Sequence, residues 1–381
     1  MTDKFKLSSA WQEEVRATLA GSYVIEDNDA LTTSSPINGD LTNYQNLLNR
    51  TVISGSLFNN EGVGGVLSTY SIIAPGGTPE GAVLSTNGEI HFSTLGTARN
   101  LKVSRTGVVS TYATIQSGRN GFILAPNGDI HHAPASATRG QKINASGVVS
   151  TYALVYTPGA YKHVGGAVSP NGDVHFSIFS SPVGQKVDIY GTVSTYSLAF
   201  TGGFIYLGAG TTLNGDIHMA PYSVTRGQKI AANGAVSTYS LVYTRNSAYF
   251  GVVTAPNGDA HFVPFNAAVG QKISGKTGQL STYSLVYTPA VEKYLGGVLA
   301  PNGDIHFIPR SAAVGQKVSK DGIVSTYSLL ITGTQLYSGG ALNDLGEIHF
   351  TPRSASIGTK ISTLPAHNFS GSTIRSRFRG Y

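Results

Sequence analysis

Three residue types recur at fixed spacing, and each of them could do chemistry. Histidines stand at 91, 131, 175, 218, 261, 306 and 349, inside Asn-Gly-Asp-Ile-His or a close variant. An acid precedes each by two residues, at 89, 129, 173, 216, 259, 304 and 347. Lysines at 142, 186, 229, 272 and 317 sit in Gly-Gln-Lys-Ile or Gly-Gln-Lys-Val, and Lys102 and Lys360 fill the same slot in degraded copies. Imidazoles suggest a metal, carboxylates a glycosidase, and lysines a site for phosphate or acidic sugar. Metal ligands must converge within about 2 Å of one ion, whereas each of these histidines belongs to a separate repeat. Each is therefore expected to hydrogen-bond inside its own unit or to the next, as buried polar groups do. Catalytic carboxylates must approach within roughly 5–10 Å of each other. Here every acid sits in the same repeated turn, and no unit carries an extra cluster of Asp, Glu and His, so turn chemistry is the reading. No Gly-x-Ser-x-Gly elbow marks a serine nucleophile. The lysines are expected to face outward from strand C, keeping the rim soluble and discouraging edge pairing. No catalytic residue, metal or cofactor is predicted, and the chain reads as a non-enzyme.

The elements that position these residues come from the repeat itself. Ser-Thr-Tyr occurs seven times, at 68–70, 110–112, 150–152, 194–196, 237–239, 281–283 and 325–327. One unit reads as strand A at 297–300, an Asn302-Gly303 turn, strand B at 305–308 stopped by Pro309, strand C at 316–319, an Asp321-Gly322 turn, and strand D at 323–330. Asn-Gly and Asp-Gly favour tight hairpins because both residues tolerate positive φ. Four antiparallel strands in about 43 residues is the pattern of a propeller blade. The last unit has no Ser-Thr-Tyr strand after Ser362, and the first copy, at 66–73, precedes any strand A. The count predicts an all-β, seven-bladed β-propeller whose last blade is closed by an N-terminal strand.

Three segments follow: an arm at 1–61, the propeller at 62–362 and a basic tail at 363–381. Ser8 or Ser9 could cap a helix over 10–20 that puts Trp11, Val15 and Leu19 on one face, so the arm is expected to be partly helical and to dock. Arg375, Arg377 and Arg379 crowd the tail without an acid nearby. They read as a solvated tail, or as one docking on an acidic partner or a nucleic acid. With the arm residues they form a candidate anchor.

Composition narrows the function. Of 381 residues only 12% are charged, 47 are Gly, and the net charge of +6 is spread over a long chain, so nucleic acid is not the expected partner. There is no Cys, which excludes disulfides and thiolate chemistry. No apolar run approaches the roughly 18 residues of a membrane span, and residues 1–20 lack the order of a secretory signal. Aromatic and arginine side chains near the longer loops carry the binding signal. Tyr206, Tyr249, Tyr294 and Tyr337 precede strand A at one offset, while Tyr222, Phe265, Arg310 and Arg353 follow the Pro that ends strand B. Such residues are enriched at interfaces and stack on sugars. The alternative is that the tyrosines fill the space between blades.

The consensus Ala-Pro-Asn-Gly-Asp-Ile-His-Phe-x-Pro, Gly-Gln-Lys-Ile-Ser and Gly-Val-Val-Ser-Thr-Tyr-Ser-Leu-Val-Tyr-Thr resembles a repeat of structural proteins of tailed bacteriophages, notably cyanophages. The match covers residues 62–362, with departures at 97–101 and 345–347. The resemblance implies a virion protein of the tail (nozzle, tail tip or fibre), made in the host cytoplasm. Its expected partners are other virion proteins, within an oligomer, or a host-surface glycan or receptor. A capsid decoration protein is a further reading.

Overall fold

The computed structural model describes residues 25–26, 30–31, 65–117, 120–289 and 291–363. The chain divides into two units, one of residues 66–362 and one of the remainder. In the second, Ile25–Glu26 pairs antiparallel with Ala30–Leu31. The expected helix at 10–20 and the candidate anchor residues lie outside the described residues.

Residues 66–362 form seven four-stranded antiparallel sheets, the blades of an all-β seven-bladed propeller. Blade 6 is representative: strand A is Tyr294–Leu299, B is Ile305–Pro309, C is Val314–Val318 and D is Val324–Ser328. In blade 7, strands Tyr337–Leu342, Glu347–Pro352 and Ile357–Ser362 are joined by Val66–Ser71 from the other end of the unit. Val66 pairs with Ser362 and Ser71 with Ile357.

Strand A carries a feature that the repeat motifs conceal. In blade 6 Tyr294 pairs with Pro309 but Gly297 with Phe307, so strand A holds one extra residue. The same shift occurs in blades 1, 3, 4, 5 and 7. At each bulge a glycine has positive φ, as at Gly165 (71°) and Gly296 (75°), the conformation that glycine alone adopts without strain. Gly81, Gly121, Gly165, Gly208, Gly251, Gly296 and Gly339 form a closed ring around the axis. A Cβ on any of them would lie 3.0–3.6 Å from the Cα of the next, including Gly339 against Gly81. The innermost strands thus approach backbone to backbone, and this ring is the waist of the axial channel.

The core lies between blades. Phe307 and Tyr294 of blade 6 pack with Val253 and Val263 of blade 5; Phe350 and Tyr337 of blade 7 pack with Val298 and Ile308 of blade 6. Each sheet buries both faces, so no blade is stable without its neighbours.

Candidate functional site

The recurrent histidines, acids and lysines are used up inside the blades. His306 Nδ1 lies 3.3 Å from the hydroxyl of Tyr327 on strand D of the same blade. The pairs His91–Tyr112, His131–Tyr152, His175–Tyr196, His218–Tyr239, His261–Tyr283 and His349–Tyr70 repeat this at 2.9–3.3 Å. The tyrosine ring reaches its His by crossing the Gly of Gly-Gln-Lys. A Cβ at Gly315 would collide with the Tyr327 ring, so only glycine leaves the ring room. Blade 1 has Asn100 there, and its amide instead donates to Tyr112 at 3.0 Å. Burial holds His91, His131, His175, His218, His261 and His306 down at about 4, and it pushes the phenols of Tyr152, Tyr196, Tyr239, Tyr283 and Tyr327 up. These imidazoles are neutral at pH 7.

The lysines do not form the outward rim expected of them. Lys317 Nζ donates to Asp304 at 2.6 Å, and the other six pair with Glu89, Asp129, Asp173, Asp216, Asp259 and Glu347 at 2.6–2.7 Å. Strand C is an inner strand of the sheet, and strand D forms the outer edge. A lysine on C therefore crosses to the acid of the A–B turn. Those acids are thus ion-pair partners as well as turn residues. Burial raises the Asp259 carboxyl, but the bonds from Lys272 and from the Gly275 amide outweigh it and hold the group below its usual range. Among the described residues, no three His, Asp or Glu stand close enough to share a metal ion.

The glutamine before each lysine ties neighbouring blades together. Gln271 Oε1 accepts from the amides of Val242 and Tyr243 in the segment leaving blade 4, at 3.1 and 2.8 Å. Gln141, Gln185, Gln228 and Gln316 do the same at their boundaries. Blades 1 and 7 carry Leu101 and Thr359 in this slot.

Strand direction puts the A–B and C–D hairpins on one face and the B–C and D–A loops on the other. The loop face is rigidly built. Tyr161, Phe204, Ser247, Glu292 and Gln335 hold positive φ of 52–58° just before strand A, a costly state for residues with a Cβ. Each is fixed by its amide, which donates to a side chain of the preceding blade. The acceptors are Ser136, Ser180, Ser223, Asn266 and Ser311.

The four strand-A tyrosines are not on this surface. Tyr206, Tyr249, Tyr294 and Tyr337 are at most 1% exposed, and their hydroxyls donate to the carbonyls of Arg226, Val269 and Val314 or bond Thr359. They fill the space between blades and cannot meet a partner. Of the residues after strand B, Phe265 and Arg310 are buried and Tyr222 and Arg353 are half-buried. Arg353 forms an ion pair with Glu80 across the boundary of blades 7 and 1. Arg310 pairs with Glu292 at 2.9 Å and lies over the Phe265 ring at 5.7 Å.

What the loop face does present is an aromatic belt over blades 3 to 5. Phe204, 55% exposed, meets Phe179 at 4.9 Å between ring centres. Phe179 meets Tyr222 at 5.9 Å, and Tyr222 meets Phe250 and Phe265 at 6.5 and 6.1 Å. The sequence reading found Tyr222, Phe265 and Arg310 but missed Phe179, Phe204 and Phe250. Phe179 fills the same repeat slot as Tyr222 and Phe265, four residues after the strand-B histidine, but follows Ile178 and not a Pro. Phe204 and Phe250 stand in slots that hold other residue types in the other blades. Phe250 also lines the axial channel, a cavity of about 180 Å³ between the seven strands A.

Known structures share this fold at low sequence identity. A streptogramin B lyase superposes with TM-score 0.68 over 78% of this chain and 97% of its own, at 19% identity. A catalytically inactive variant of virginiamycin B lyase from Staphylococcus aureus with quinupristin gives 0.67 over 78% and 99%, at 15% identity. The WD40 propeller domain of Doa1 gives 0.61 over 79% and 98%, at 12% identity. No family model and no curated protein matches the sequence.

Proposed function

We propose that this chain is a non-enzymatic structural component of a tailed bacteriophage virion, in the tail, where the propeller is a rigid interaction platform. The observation that carries this reading is the fate of the reactive residues. Every repeated His, Lys and acid is bonded inside a blade, every αL loop residue is clamped by its neighbour, and the loop face carries a belt of packed aromatic rings with Phe204 open to solvent. That is the construction of a scaffold presenting a surface. The tail assignment itself rests on the resemblance of the repeat. The terminal segments at 1–61 and 363–381 would anchor the platform to other virion proteins. A chain lacking residues 1–58 is expected to fold as a propeller yet be missing from purified particles by mass spectrometry. Normal incorporation of the armless chain would sink the anchoring idea.

The aromatic belt, with Phe204 exposed and Phe179, Tyr222 and Phe250 half-buried, favours a second reading, contact with a host-surface glycan or receptor, which is compatible with the first. Binding of the isolated propeller to host cells that is lost on Phe204→Ser would support it.

The lyase likeness lies at 14–19% identity, so it speaks for the fold and not for an activity. Among the described residues that line the channel there is no histidine, and the one acid, Glu80, is bound to Arg353. Incubation with quinupristin is expected to leave it unchanged by mass spectrometry. Its conversion by the wild-type chain would overturn the non-enzymatic reading.

A further inference from the structure

We propose that the loop-face mouth of the axial channel binds one neutral sugar unit, free or at the end of a glycan. The inference stands on the cavity and holds whether or not the chain belongs to a virion.

The residues just before the ring of glycines line the channel from six of the blades, yet they are not alike. Ser338, Glu80 and Asn120, from blades 7, 1 and 2, form a polar arc. Val164, Phe250 and Leu295, from blades 3, 5 and 6, form an apolar arc opposite. The polarity continues behind the first arc. Two residues after the strand-B histidine, blades 7 and 1 carry Thr351 and Ser93, where blades 5 and 6 carry Val263 and Ile308; blade 3 carries Ser177 there, but its hydroxyl donates to the Gly208 carbonyl at 3.2 Å. The hydroxyls of Thr351, Ser93 and Thr94 are buried without a hydrogen-bond partner. Thr351 Oγ1 lies 3.9 Å from the Cβ position of Gly339 in the ring itself. Buried hydroxyls left open point to water or ligand at hand, and here they gather behind one side of the channel.

The chemistry of the two arcs selects the ligand. A cation finds the Glu80 carboxylate already neutralised by Arg353. An anion finds that carboxylate and no lysine or arginine among the described residues lining the cavity. A wholly apolar ligand would strip water from Glu80 and Asn120 without replacing its hydrogen bonds, which is costly. A pyranose satisfies both sides. Its C–H face packs against the electron-rich face of an aromatic ring such as Phe250, and its hydroxyls donate to an ionised carboxylate and exchange hydrogen bonds with an amide. The volume of about 180 Å³ lies below the 300–1,000 Å³ of sites for larger ligands, which limits the occupant to a single ring.

The test is saturation-transfer NMR on the full chain with glucose, galactose, mannose, N-acetylglucosamine, fucose and rhamnose, each up to tens of millimolar. Transfer to at least one sugar is expected, with Asn120→Ala and Phe250→Leu each weakening its binding about fivefold or more. Tyr190→Ser, on the opposite hairpin face, should leave it unchanged. Melting curves identify variants that fold, and Asn120→Ala carries the test if Phe250→Leu does not. Absence of transfer to every sugar, or transfer that survives both folded variants, overturns the proposal.

Discussion

Deleting residues 1–75 is expected to lower the melting temperature by roughly 10 °C or more, whereas deleting residues 1–58 should leave it unchanged. The longer deletion removes Val66–Ser71, which pairs along its whole length with Ile357–Ser362. It takes away Leu67, which packs on the cluster of Val298, Ile308, Tyr337 and Phe350. It also takes Tyr70, whose ring covers Gly358 and whose hydroxyl bonds His349. Two half-buried large side chains and the paired strand amount to about 5 kcal/mol, a large share of a typical domain's stability. Blade 7 is also where the ring has fewest spare ties. Leu101 and Thr359 replace the clamping glutamine at its two boundaries, and at the boundary with blade 1 two ion pairs serve instead, Arg353 with Glu80 and Arg105 with Asp344. A peptide of residues 62–75 added to the truncated chain should recover part of the loss, because an open strand edge accepts a matching strand. Equal melting of both truncations and the full chain would show that strand 66–71 contributes nothing to the ring.

The blade architecture was legible because its signals are local. Asn-Gly and Asp-Gly turns fix hairpins wherever they occur, and seven copies of Ser-Thr-Tyr count the sheets. The pairing of His306 inside its own blade was legible for the same reason, since seven dispersed imidazoles cannot meet at one ion. The strand-A tyrosines were not legible. Period-two alternation says which face a side chain takes only while the register is unbroken, and the bulge at Gly296 adds one residue between Tyr294 and Gly297. One added residue reverses every face assignment on its far side. The signal was in the sequence, because a glycine recurring once per repeat inside a strand marks a bulge or a close backbone approach. The role of Lys317 was missed because its partner, Asp304, lies in another hairpin of the blade, and only the order A-B-C-D across the sheet brings the two together. Phe179 carried a repeat signal, since it lies four residues after His175 as Tyr222 does after His218, but Ile178 stands where most other units have Pro. Phe204 and Phe250 had no such signal, for the residues in their slots differ from unit to unit.

Acid should unfold the ring cooperatively, with a midpoint at about pH 4–5.5. His91, His131, His175, His218, His261 and His306 are held near 4 by burial, as is His163 on strand A of blade 3. Around each blade histidine the acid and the lysine act in opposite senses, as Glu89 and Lys102 do on His91, so burial sets the direction. An unfolded histidine titrates near 6.5. The unfolded chain therefore takes up these protons first, and the stability the neutral imidazoles contribute is complete above that value. It is lost as the pH falls toward 4. At pH 5 each histidine costs about 2 kcal/mol, so the seven together approach the whole stability of an ordinary domain, about 5–15 kcal/mol. The carboxyls act in the same sense at lower pH. Bonds to His349 and Lys360 hold Glu347 at about 2, and the stability this carries disappears once the pH drops below the range of a free carboxyl. Far-UV circular dichroism from pH 8 to 3 should show a single transition, and His306→Asn should move its midpoint to lower pH because one titrating group is gone. A fold that persists unchanged to pH 3, or a midpoint that ignores the substitution, would mean that the imidazoles are not what acid attacks.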